Sequence, residues 1–87
     1  MTFVFSGSLL RYVNYQRQVS YDAVNVADAL QELFGDHAGL QGLMLNADGS
    51  LRRTLRLAIN NQVVPSDLAH PLSPSDSVEV MTAVSGG

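Results

Sequence analysis

Cysteine and lysine are both absent from the 87 residues. The first absence excludes a disulfide framework, a thiolate metal site and a cysteine nucleophile. The second leaves arginine as the only strongly basic side chain, at Arg11, Arg17, Arg52, Arg53 and Arg56. The chain therefore has no side-chain amine that an activated acyl group could acylate. Histidine is confined to His37 and His70, far apart in segments that read as loops. Two such histidines without cysteine make neither a catalytic triad nor a zinc site. A net charge of −3 argues against nucleic acid as the main partner. No apolar run is long enough to span a bilayer, and Met1-Thr2-Phe3-Val4-Phe5 lacks the basic start and long apolar stretch of a signal peptide. A cytoplasmic chain with no membrane partner is the expectation.

What is present is a globular composition. At 46% hydrophobic residues the chain is too apolar for disorder, and 87 residues leave room for one domain spanning residues 1–87. Such a domain can fold on its core alone, with a stability of about 4–13 kcal/mol at about 0.05–0.15 kcal/mol per residue.

Phe3 and Phe5 share one face of a first strand that continues toward Leu9 and Leu10, with Gly7 interrupting it as a bulge or a close backbone approach. Arg11 to Arg17, around Asn14, read as a turn, and Val19 to Tyr21 as the returning strand of a hairpin. Val26, Leu30, Leu33 and Phe34 recur at i, i+4, i+7 and i+8, the apolar stripe of a helix. Asn25 is its N-cap, with Asp28 three residues on, and Gly35 its C-terminal stop. Leu40, Leu43 and Leu45 are expected to cover a sheet edge as a short helix or ordered loop.

Asn46-Ala47-Asp48-Gly49-Ser50 is turn chemistry. It begins like a calcium loop, but Leu57 stands where the bidentate glutamate belongs. Gly35, Gly39 and Gly42 have the wrong spacing for a phosphate or dinucleotide loop. Leu51 to Asn60 alternate, with Leu55, Leu57 and Ile59 inward and Thr54, Arg56 and Ala58 outward. Asn60-Asn61 turn into a short Val63-Val64 strand. Pro65, Pro71 and Pro74 punctuate the next stretch, and Ser75-Asp76 lead into a last strand with Val78, Val80, Thr82 and Val84 on one face.

The order β-β-α-β-(β)-β predicts an α+β, β-grasp (ubiquitin-like) fold, a mixed sheet with one main helix packed across it. The helical connection makes the first and last strands parallel neighbours in the centre of the sheet. The last strand then runs, with no linker, into Gly86-Gly87 and a free carboxylate. The expected form of residues 84–87 is a flexible tail. Nothing in the interior reads as an enzyme, and no metal site or bound cofactor is expected. Arg52-Arg53-Arg56 is the one concentration of charge, a solvated strand face or a docking site.

Three segments carry a family resemblance: Asn60-Asn61 through Pro71-Leu72, then Ser75-Asp76-Ser77-Val78-Glu79-Val80, then Ala83-Val84-Ser85-Gly86-Gly87. Together they resemble the sulfur-carrier proteins of the MoaD/ThiS type, over almost the whole chain. Gly49-Ser50-Leu51-Arg52-Arg53 with Ala58-Ile59-Asn60 looks more like the branch that supplies sulfur to cysteine or thioacid-type metabolites. The molybdopterin branch often has two prolines before the tail, whereas Met81-Thr82-Ala83 stand here.

The resemblance implies a carrier and co-substrate rather than a catalyst. An E1-like adenylyltransferase/sulfurtransferase would use ATP to adenylate the Gly87 carboxylate. A sulfur donor would displace AMP to leave a thiocarboxylate, and a sulfur-accepting biosynthetic enzyme would draw on it. Gly86, Ser85 and Val84 would be read as the tail threads a channel, where glycine's missing Cβ keeps the passage narrow. Val63 and Met81 are candidates for an apolar docking patch, and Arg52 and Arg53 for polar contacts. The receiving pathway (cysteine, a thioacid metabolite or siderophore, molybdopterin, thiamine) stays open, as does a protease that trims residues beyond Gly87. The alternatives are a ubiquitin-like modifier conjugated through Gly87, the small subunit of molybdopterin synthase, or a β-grasp interaction module with an incidental tail.

Overall fold

The computed structural model describes residues 1–64 and 68–82. Strand β1 (Thr2–Val4) is followed by a 3-10 helix (Gly7–Val13) and β2 (Gln18–Ser20). Helix α1 (Val26–Asp36), a 3-10 turn (Ala38–Leu40) and the short α2 (Gln41–Met44) come next. Strands β3 (Leu55–Ile59), β4 (Gln62–Val64) and β5 (Ser77–Thr82) complete a sheet of order β2-β1-β5-β3-β4. β1 and β5 are parallel, and every other pairing is antiparallel. This is the mixed β-grasp sheet that the element order predicts.

The hydrophobic pattern decides which face of the sheet the helix covers. Phe3, Phe5, Leu57, Val78 and Val80 are at most 1% exposed. They meet Val26, Ala29, Leu30 and Leu33 of α1, all buried, in one core cluster. Phe34, the last residue of the expected stripe, packs at the margin and is half-buried. Asn25 caps α1 as its sequence suggests, its Oδ1 accepting from the Asp28 amide at 2.8 Å.

Four local expectations are corrected. Gly7 is not a bulge: with φ +62° it opens the 3-10 helix, whose Leu9 and Val13 are buried. That helix takes up Arg11 to Val13 of the segment read as a turn, and the reversal falls on Asn14 and Tyr15. Gly35 does not stop α1, which runs through Asp36 and ends at His37 in ordinary negative-φ backbone. Beyond it Leu40 and Met44 are buried while Leu43 is 40% exposed, because the chain re-enters helix at Gln41 and turns Met44 inward. Ala58 faces outward with Arg56 as alternation requires, yet it is 4% exposed, shielded by its cross-strand neighbours Val63 and Glu79.

The β3–β4 connection sets the level of β5. Asn60 and Asn61 both have positive φ, 51° and 70°, the left-handed pair of a tight hairpin turn that asparagine tolerates. The Asn60 side chain then reaches across: its Oδ1 accepts from the Ser77 amide at 3.0 Å and its Nδ2 donates to Asp76 at 2.9 Å. Asp76 also accepts from the Ser73 amide at 2.8 Å, and these donors hold its carboxyl below its usual pKa of 3.8. A depressed carboxyl pKa stabilises the fold above the unfolded value and loses that contribution as pH falls through the folded one. Urea midpoints of the wild-type chain should therefore drop between pH 5 and pH 3 more than those of Asp76→Asn. Parallel curves for the two would show that this staple contributes nothing.

Candidate functional site

The sheet converges on the far end of β5. β5 is the central strand, hydrogen-bonded to β1 on one side and β3 on the other, with Val4 level with Glu79 and Leu55 level with Thr82. Paired with β1 over Ser77–Glu79 and with β3 over Val78–Thr82, β5 has its register fixed from both edges, and the point where the chain leaves Thr82 is held by β3. Gly87, Gly86, Ser85 and Val84, the expected reactive and recognition residues, lie outside the described residues.

The face of the sheet away from α1 carries the expected docking residues. One row crosses all five strands in register: Gln18, Val4, Glu79, Ala58 and Val63. Val63 is 65% exposed, an apolar side chain with nothing over it in the isolated chain. Met81, half-buried, sits one pleat nearer the end of β5, opposite Arg56. The structure thus brings Val63 and Met81 to one face around the small Ala58. Arg56 was singled out from sequence only as a member of the Arg52-Arg53-Arg56 cluster and Ala58 not at all, although their alternation with Leu55, Leu57 and Ile59 already placed both on this face.

Arg52 and Arg53 have different surroundings. Arg52 is exposed, and its Nε donates to the Gly42 carbonyl at 3.0 Å, tying the start of β3 to α2. The Arg53 carbonyl accepts from Arg56 Nη1 at 2.7 Å, and the same nitrogen donates to the Leu55 carbonyl at 2.9 Å. The Arg56 guanidinium is therefore folded back toward the end of the sheet at which β5 runs out.

Among the described residues, no group that the fold perturbs electrostatically belongs to this end of β5. Asp76 precedes β5. Asp48 is lowered by its hydrogen bonds from the Ser50 hydroxyl and amide within the 46–50 turn. The Tyr21 phenol is raised to about 12 by burial, with help from its 2.9 Å hydrogen bond to Asp36. His37 and His70 stand apart on separate segments, and no cluster of metal-ligating side chains occurs among the described residues. No helix is long and apolar enough to cross a membrane, again among the described residues.

The ThiS family model matches residues 5–87. The chain belongs to the ThiS family. Curated proteins give no match. SAMP1 from Haloferax volcanii is similar in structure, with a TM-score of 0.84 and 25% identity over 99% of this chain and 97% of that one. A chain of the Amycolatopsis orientalis BexX/CysO complex has a TM-score of 0.87 at 19% identity, over 99% of this chain and 98% of that one. Mycobacterium tuberculosis CysO has a TM-score of 0.84 at 21% identity, over 95% of this chain and 98% of that one. These likenesses establish the ubiquitin-like β-grasp fold, and the family is one of ubiquitin-like sulfur carriers and modifiers.

Proposed function

We propose that this ThiS family member is a sulfur carrier whose reactive group is the carboxylate of Gly87. The observation that carries the reading is the doubly paired central strand β5, which leads within a few residues to Gly86-Gly87. An E1-like enzyme adenylates the carboxylate: a carboxylate oxygen attacks the α-phosphorus of ATP, and pyrophosphate leaves. A sulfur donor then attacks the carbonyl carbon, AMP leaves, and a thiocarboxylate remains for an acceptor enzyme to use. Without a cysteine of its own, the chain has no other side chain on which to carry sulfur covalently as a thiol or persulfide. ATP belongs to the activating enzyme, and the carrier is its protein co-substrate.

Val63 and Met81, with Ala58 between them, form the apolar docking face of the carrier. Fold similarity to the BexX/CysO complex and to CysO favours the branch that feeds cysteine or thioacid metabolites over the molybdopterin branch. A modifier role is the second reading, favoured by the 25% identity to SAMP1, a small archaeal modifier protein. In that role the chain builds no lysine-linked polymers of itself, since it has no lysine.

Reconstitution with the cognate activating enzyme, ATP and sulfide, followed by an organomercury gel that retards thiocarboxylates, separates the readings. A retarded band supports the carrier. High-mass conjugates in lysate without a retarded band support the modifier.

A further inference from the structure

The five arginines are scattered in sequence but gathered in the fold. β1 and β5 run parallel, so Phe5 and Val80 lie at one level, and the Phe5 amide donates to the Arg17 carbonyl at 2.8 Å. Arg17 therefore stands at the end of the sheet from which β5 departs, on the β1–β2 side. Arg11 lies in the 3-10 helix that follows β1 at that same end. On the other side of β5, Arg56 is level with Met81, and Arg53 precedes the Leu55–Thr82 pair. Arg52 adjoins Arg53. In a chain with net charge −3, the backbones of Arg11, Arg17, Arg53 and Arg56 thus lie at the end of the sheet from which β5 departs, while the Arg52 side chain turns to the Gly42 carbonyl of α2.

Among the described residues no acidic group neutralises any of the five. All are exposed. Their guanidinium hydrogen bonds go to the carbonyls of Gly42, Arg53 and Leu55, and no carboxylate among the described residues pairs with them. Tyr15 adds an independent observation. It sits between Arg11 and Arg17, is 72% exposed, and has φ +61°. A bulky aromatic residue in left-handed backbone is a genuine outlier whose strain tends to persist at functional surfaces. The turn itself would be served better by glycine. Exposed tyrosine among arginines is the composition of an interface centre, where both residue types are enriched.

We propose that the exit of β5 is a cationic docking lip, Arg11, Tyr15 and Arg17 on one bank and Arg53 and Arg56 on the other. Its partner is an acidic rim around the channel of the enzyme that activates Gly87. This rests on the sulfur-carrier reading and extends it. The lip steers the tail into the channel and holds the carrier during adenylation, while the apolar patch at Val63 and Met81 supplies area. Opposed charges of this kind act on encounter and register, so their loss raises KM and leaves kcat nearly untouched.

The test is ATP–pyrophosphate exchange with the cognate activating enzyme, titrating the full chain at low and high NaCl. Arg53→Glu/Arg56→Glu should raise KM about tenfold or more at low salt, with kcat near wild type and a flattened salt dependence. Tyr15→Gly, which relieves the backbone and keeps the fold, should raise KM in the same direction. Ser20→Glu/Val24→Glu, which adds acid away from the exit, should leave KM unchanged. Exchange by wild type with unaltered KM in the arginine and Tyr15 variants overturns the lip alone. No exchange by wild type overturns the carrier reading, and the lip falls with it. Unaltered KM together with arginine-dependent binding to single-stranded RNA would assign the patch to nucleic acid and likewise overturn the proposal.

Discussion

Deleting Gly87 should abolish adenylation while leaving the fold intact. The deletion draws the carboxylate back about 3.5 Å along an extended chain, the reach of one residue. Reacting atoms must approach to roughly 3–3.5 Å in a near-attack geometry, so a retreat of that size removes the carboxylate from the α-phosphorus altogether. β5 cannot make up the distance by sliding, because its pairings with β1 and β3 fix its register from Ser77 to Thr82. Gly86→Val should fail for a different reason: it puts a branched Cβ where the channel must close on bare backbone. The described core has no buried residue beyond Val80, so both variants should melt at the wild-type temperature. ATP–pyrophosphate exchange at saturating carrier checks this. Wild-type exchange by the deletion would break the link between Gly87 and activation.

Truncating the centre of α1 should have the largest effect on stability. Leu30 is 2% exposed and belongs to the cluster that joins α1 to Phe3, Leu57, Val78 and Val80. Leu30→Ala removes buried methyl groups and leaves a cavity, at a cost of about 2–5 kcal/mol. Against about 4–13 kcal/mol in total, that is a large fraction. Urea unfolding should show the midpoint falling sharply with the slope unchanged. A loss under about 1 kcal/mol would mean that α1 contributes far less packing than a buried leucine does. The same variant, while still folded at low temperature, should be adenylated normally, which separates fold stability from tail chemistry.

The parts of the fold that were legible in the sequence are those set by short-range periodicity. Val26, Leu30 and Leu33 gave α1, Asn25 its cap, and Leu55, Leu57 and Ile59 the inward face of β3. The parallel β1–β5 pairing followed from the order of elements, because a helical crossover admits little else. Where reading failed, two residues with similar preferences competed. Leu43 and Met44 are both apolar, and only the entry angle of α2 decides that Met44 goes in. Gly35 resembles a helix stop, yet its backbone stays helical because α1 continues to Asp36.

The candidate site was legible in a similar, partial way. Val63 and Met81 could be guessed as outward, but their meeting around Ala58 is a matter of strand register. The arginines illustrate the limit most clearly. Arg11 and Arg17 are distant in sequence from Arg53 and Arg56, and only the order β2-β1-β5-β3-β4 sets the two groups on either side of β5. Sequence composition showed that all the cations were arginine, and it could not show that they share one end.

Intact-mass measurement of the chain after incubation with its activating enzyme, ATP and sulfide tests the central claim most directly. The account predicts a single product in which one oxygen of the Gly87 carboxylate is exchanged for sulfur, formed only when ATP is present and lost in the Gly87 deletion. An unchanged mass under conditions in which the enzyme consumes ATP with the chain would contradict it.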